Sequence, residues 1–152
     1  MNDKIFKVVT YPNEVLRAEA HLVDAVTDYE REVLDAMYNT MRENNGVGLA
    51  APQVGISLRL IVIDVGDGPI FLANPVIVEK KGKDELKEGC LSLPGAEVKV
   101  YRAKHVVVKG LDRDNKHITI KAKGLLARAV QHETDHLDGK LIIDYMENPL
   151  KF

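Results

Sequence analysis

A single cysteine, Cys90, stands among the 152 residues, so no disulfide can form within the chain and the sequence suits a reducing compartment. An excess of one charge is also lacking: 21 basic against 23 acidic side chains leave a formal net charge of −2. That balance gives no electrostatic case for nucleic acid or an anionic membrane as the main partner. Long apolar runs are missing too. No stretch approaches the ~18 residues of a membrane span, and the opening MNDKIFKVVTYP has no apolar segment of signal-peptide length. There is no internal repeat or low-complexity tract. What remains is a chain of ordinary domain size with 45% hydrophobic residues, expected to form one cytoplasmic domain over residues 1–152 with a single core.

The periodicity divides the chain into helical ends and an extended middle. Tyr29, Val33, Ala36, Met37, Thr40 and Met41 recur at helical spacing. Thr27 or Asp28 can cap that amphipathic helix, expected over about residues 27–44, and Asn45-Gly46 can stop it. The branched run Leu58 to Asp64 reads as a buried strand, followed by a GDGP turn and a hairpin to IFLANPVIVEKK. Further short strands are predicted in DELKEGCLSLP, EVKVYR, KHVVVKGLD and KHITIKAK, with DRDN turning between the last two. The charged run EKKGKDELKE reads as a solvated hairpin. From Gly124 the period returns to 3.6, with Leu125, Ala129, His132 and His136 on one stripe, Leu126, Val130, Glu133 and Leu137 on the next, and Gly139 as the stop.

The segment QHETDHLDG, Gln131 to Gly139, sets two histidines four apart with a glutamate beside the first. Residues i and i+4 share a helix face, so His132 and His136 can grip one ion while Glu133 reaches a water on it. Ordinary helix charges and core histidines would be the plain alternative. Against it, three polar groups fall on the apolar side of the helix, where unpaired groups are costly. A catalytic site needs a third ligand and an open position. The metzincin slot holds Ile142, and only Asp138, Asp144 and Glu147 offer carboxylates downstream. Upstream, Cys90 in EGCLSLPG is the best candidate, a buried structural thiol being the competing reading. GVGLAAPQVG, Gly46 to Gly55, has the spacing of a dinucleotide fingerprint but follows a helix, and Pro52 interrupts the helix that should start there. It reads as a loop whose Gln53 aims a side-chain amide at something buried, such as a substrate oxygen. His21, His105 and His117 have no partner spacing and read as surface or structural residues.

Together and in this order, GVGLAAPQVG, EGCLSLPG and QHETDHLDG resemble peptide deformylase, and the likeness runs from YPNEVLR to KLIIDY. The resemblance implies an α+β fold, with antiparallel β-sheets around a central helix carrying H-E-x-x-H and an N-terminal amphipathic helix. It implies a hydrolase acting in protein biosynthesis that removes the N-formyl group from the N-terminal methionine of new polypeptides and releases formate. Cys90, His132 and His136 would bind one divalent metal, Fe2+ in the cell, with Zn2+, Ni2+ or Co2+ able to occupy the site. Glu133 would be the proton carrier, with Gln53 and the backbone N–H of Leu91 meeting the oxyanion. Gly48 and Gly89 would contact the substrate backbone, and Val47, Leu86, Leu125 and Ala129 would line the methionine pocket. Glu88 and Arg102 match positions that pair to brace the Cys90 strand.

Some positions depart from many bacterial members. Arg128 and Ala129 replace bulkier apolar residues, and Glu97 stands where an arginine is common. The sequence closes on DYMENPLKF, so the longer C-terminal helix that some members dock on the ribosome is not expected from it. The expected partners are therefore N-formyl-Met nascent peptides, with any transient ribosome contact made without that helix. A metallopeptidase and a non-catalytic metal-binding protein are the competing functions. The first would cleave unblocked peptides, and the second would have no need of Gln53 or Glu133.

Overall fold

The computed structural model describes residues 3–146. Expectations for Glu147 and the rest of the C-terminal stretch fall outside them. The described chain builds two α-helices, Asp28–Glu43 (α1) and Gly124–Leu137 (α2), and seven strands: Gly48–Ala50 (β1), Leu60–Ile63 (β2), Ile70–Lys81 (β3), Asp84–Cys90 (β4), Leu93–Arg102 (β5), His105–Leu111 (β6) and His117–Lys123 (β7). Every strand pairing is antiparallel. One sheet has the order β1-β2-β3-β6-β7, and β4-β5 forms a separate two-stranded ribbon. The α+β reading therefore holds. Among the described residues, no helix is long and apolar enough to cross a membrane.

Strand β2 explains how the layers form. All four of its residues are buried, and because side chains alternate across a strand they serve two different cores. Leu60 and Val62 pack with Leu34, Met37 and Met41 of α1. Ile61 and Ile63 pack with Ala127, Val130 and Leu137 of α2. The two helices thus cover opposite faces of the main sheet. Full burial of one such aliphatic side chain contributes about 1.5–3 kcal/mol. A third cluster, including Leu16, Val98, Val100, Leu141 and Ile142, lies under the ribbon.

Both helices end by the same device. After α1, Asn45 takes a positive φ of 56°, its N–H bonding to the Arg42 carbonyl and that of Gly46 to Met41. After α2, Gly139 has φ 73°, and the N–H groups of Gly139 and Lys140 reach the carbonyls of His136 and Asp135. These are Schellman caps. At Gly139 a side chain is doubly excluded, since a Cβ would lie 2.5 Å from the Arg17 carbonyl oxygen.

Two local expectations are corrected. The segment read as a loop at Gly46–Gly55 holds strand β1 and a 3₁₀ turn at Ala51–Val54. A three-residue strand is too short to show an alternation. The charged run Glu79–Glu88 is not a hairpin, because β3 pairs with β2 and β6 whereas β4 pairs with β5. The chain changes sheets at Gly82, and Glu88 ends up buried rather than solvated.

Candidate metal centre and active site

The end strand β1, helix α2 and the β4–β5 ribbon enclose a cleft of about 720 Å³. At its base, α2 presents His132 and His136 one turn apart, and the bulged end of β4 brings in Cys90. The ligand atoms of Cys90, His132 and His136 all lie within 4.8 Å of one another. His136 Nε2 is 3.4 Å from Cys90 Sγ and 3.2 Å from His132 Nε2. A tetrahedral ion with bonds of 2.0–2.3 Å would need donor separations of about 3.3–3.8 Å. One sulfur and two imidazoles, with two of their separations at 3.2 and 3.4 Å and all within 4.8 Å, form a donor set suited to a divalent transition metal.

The electrostatics point the same way. Burial works against a charge on His132, but Glu133, Cys90 and Glu88 outweigh it and lift this histidine to about 10. The pocket thus favours a positive charge where these atoms meet, a place that a metal ion would take from the proton. His136 is pushed well below its ordinary value by burial and by the charge of His132, which keeps its imidazole neutral and able to ligate. Its Nδ1 and Glu133 Oε1 are buried without hydrogen-bond partners.

Behind the ligands lies a charged lattice. Glu88 accepts from Arg102 Nη2 at 2.9 Å and Nε at 3.0 Å, from Arg128 at 2.5 Å, and faces His132 Nδ1 at 2.9 Å. Burial alone would raise the Glu88 carboxyl, yet His132 and Arg102 hold it well below the usual carboxylate range. Asp135 extends the lattice, accepting from Arg102 and from the Tyr145 hydroxyl, both at 2.6 Å. Burial and that carboxylate push Tyr145 up to about 12.

Glu133 is 4% exposed and fits against β1. A Cβ added at Gly48 would stand 2.5 Å from Glu133 Oε2, so close approach requires a glycine there. Burial, with Glu88 and Asp135 nearby, raises the Glu133 carboxyl to about 7, against the opposing charge of His132. Gln53 is oriented from both ends. Its Oε1 accepts from the Ala50 N–H at 3.0 Å, and its Nε2 reaches Ser92 Oγ at 3.2 Å and Cys90 Sγ at 3.6 Å.

Val47, Gly48, Gln53, Leu86, Gly89, Cys90, Leu91, Leu125, Ala129, His132 and Glu133 all line the cleft. Val47, Leu86 and Leu125 remain about half exposed, as apolar walls of an open binding site do. His136 lies deeper, 1% exposed. His21, His105 and His117 lie outside this cluster and are exposed. Sequence reasoning missed Ser92, which is fully buried, because a serine in a turn ordinarily faces water. It also missed Asp135, which reads along the helix as one more surface charge.

A family model described as polypeptide deformylase matches residues 5–151. The peptide deformylase of Halothermothrix orenii is 54% identical over 132 residues, covering 86% of each chain. A crystal structure of a peptide deformylase from Legionella pneumophila superposes with a TM-score of 0.92 at 46% identity, covering 97% of this chain and 88% of that one. Another from Ehrlichia chaffeensis, in complex with actinonin, gives a TM-score of 0.93 at 38% identity, covering 95% and 90%. With the likeness running through the cleft and nearly end to end, the chain belongs to the polypeptide deformylase family.

Proposed function

We propose that Cys90, His132 and His136 hold one divalent metal, Fe2+ in the cell with Zn2+, Ni2+ or Co2+ as substitutes. On this reading a single domain over residues 1–152 works in the cytoplasm, with α2 as its central helix carrying H-E-x-x-H and α1 as the amphipathic helix on the far face. The activity is that of the family: an enzyme hydrolysing the N-formyl group from N-formyl-Met peptides during protein biosynthesis. The observation that carries the metal reading is the convergence of three donor atoms within 4.8 Å at the foot of the cleft.

A bound ion would supply Lewis-acid polarisation of the formyl oxygen and a more acidic water. The chain's own groups do the rest. Glu133 accepts the proton of the attacking water and delivers it to the departing amine. Its seat against Gly48 holds the carboxylate beside the ligands. The Gln53 amide and the Leu91 backbone N–H meet the negative charge that develops on the formyl oxygen. An extended peptide runs along β1 near Gly48 and past Gly89, adding a strand to a sheet edge. The methionine side chain enters among Val47, Leu86, Leu125 and Ala129. The tight approach of Gly48 and Leu91 leaves room at the carbonyl carbon for hydrogen but not for methyl, which excludes N-acetyl chains.

The test is formate release from formyl-Met-Ala-Ser by protein purified without oxygen, with metal quantified on the same sample. Turnover with about one ion per chain supports the reading. Cleavage of the unblocked peptide would indicate a peptidase instead, and bound metal without turnover a binding role. Formyl-Met and acetyl-Met peptides turned over at similar rates would remove the steric account of specificity.

A further inference from the structure

Arg128 lies one helical turn before His132 on α2 and is 6% exposed, yet none of the steps above uses it. A buried guanidinium must be paired and hydrogen-bonded to be tolerated, and its partners here are specific. Nη1 donates to Glu88 Oε2 at 2.5 Å and to the Val100 carbonyl at 3.2 Å. Nη2 donates to the Asp84 carbonyl at 2.9 Å. One side chain therefore joins α2 to both strands of the β4–β5 ribbon, and does so on the carboxylate that faces His132.

The division of Glu88's oxygens matters. Oε1 faces His132 Nδ1 and accepts from Arg102 Nη2, whereas Oε2 accepts from Arg102 Nε and Arg128 Nη1. The last torsion of a glutamate is soft. The Arg102 fork already sets the plane of the carboxylate from β5, and Arg128 adds a second hold on Oε2 from the helix that carries His132, so that the plane is fixed relative to both elements. Arg102 comes from β5 and Arg128 from α2.

We propose that Arg128 is a positioning residue for His132. By adding a hold on Glu88 Oε2 from α2 itself, beside that of Arg102, it keeps Oε1 on the Nδ1–H of that ring and leaves Nε2 aimed at Cys90 and His136. Through the Asp84 and Val100 carbonyls it also fixes the ribbon that carries Cys90 relative to the helix that carries the histidines. This rests on the metal reading above. Partners of a ligating histidine's second nitrogen typically change metal affinity by about 10–100-fold when removed.

The test uses the full chain with Zn2+ alone as probe, against a chromophoric chelator, together with hydrogen exchange of the His132 Nδ1–H followed by NMR in the zinc-loaded protein. Arg128→Met, close in volume, is expected to weaken Zn2+ binding by about 10–100-fold and to speed exchange of that proton. Arg128→Lys keeps the charge but loses the fork, and is expected to fall between the two; it carries the comparison if the methionine variant does not fold. A merely structural tether would lower the melting temperature while leaving the His132 proton as protected as before. Variants that match the wild type in Zn2+ affinity and proton exchange overturn the inference and leave the metal reading standing. A wild-type chain that binds no Zn2+ overturns the metal reading itself.

Discussion

Gly48 and Glu133 share a space that admits only one side chain: a Cβ on residue 48 would come within 2.5 Å of Glu133 Oε2 and 3.0 Å of its Cδ. Gly48→Ala is therefore expected to push the carboxylate off its seat. The displaced atoms are the far end of a flexible side chain, so the melting temperature should change little. A shift of about 1 Å in a catalytic group can cost about 10²-fold. The check is kcat on a formyl-Met peptide beside a thermal melt. An alanine variant with full turnover would show that Glu133 does not act from this position.

Glu133→Gln keeps the size and removes the proton carrier. Turnover is expected to fall by about 10²–10⁴-fold, with metal content near one per chain because residue 133 is not among the three converging donors. Parallel metal analysis and formate release decide it, and loss of metal together with activity would make Glu133 a ligand.

Ser92 Oγ holds one end of the Gln53 amide. Removing Gln53 as an oxyanion donor by Gln53→Ala should cost about 10²–10³-fold in kcat. Ser92→Ala should cost clearly less, because the Ala50 N–H still fixes Gln53 Oε1. Comparing kcat and KM for the two variants tests that order, and a serine variant as damaged as the glutamine one would give Ser92 a direct role.

Leu34 is fully buried between α1 and the main sheet, on the face away from the cleft. Leu34→Ala is expected to lower stability by about 2–5 kcal/mol, read by denaturant unfolding, while the folded protein keeps its kcat.

Asp144 accepts from Arg17 Nη1 at 2.7 Å and from the Leu141 N–H at 3.0 Å. Burial would raise its carboxyl, but Arg17 and Leu141 hold it below its ordinary value. A carboxylate depressed in the folded state stabilises above its unfolded pKa of about 3.9 and loses that contribution as pH falls through the folded value. Both partners are more than a third exposed, so the pair is worth about 0.2–1 kcal/mol. Asp144→Asn should therefore melt lower than wild type at pH 7, with the difference closing below about pH 4. A constant difference from pH 7 down to pH 2 would assign the effect to packing.

Periodic features were the legible ones. Helix α1 follows from Val33, Met37 and Met41 at helical spacing and stops at Asn45 as expected. The pair His132 and His136 could be read as one ligand face because an i, i+4 relation is local. Relations across the chain were not legible. Nothing near Arg128 announces that it meets a glutamate 40 residues earlier, and Ser92 becomes a buried acceptor only when Gln53, 39 residues away, folds over it. The run Glu79–Glu88 shows the same limit: charge density suggested a solvated hairpin, but strand partners are chosen by surfaces that lie elsewhere in the sequence.

The break between the five-stranded sheet and the β4–β5 ribbon has a further meaning. Among the described residues, strand β1 ends one sheet and β4 pairs with β5 alone, and both border the cleft. An extended chain laid in that gap would find main-chain hydrogen-bonding groups on either hand, and would turn two sheets into one continuous surface. On the proposed reading, a guest so placed would be a structural member of its host for as long as it stays.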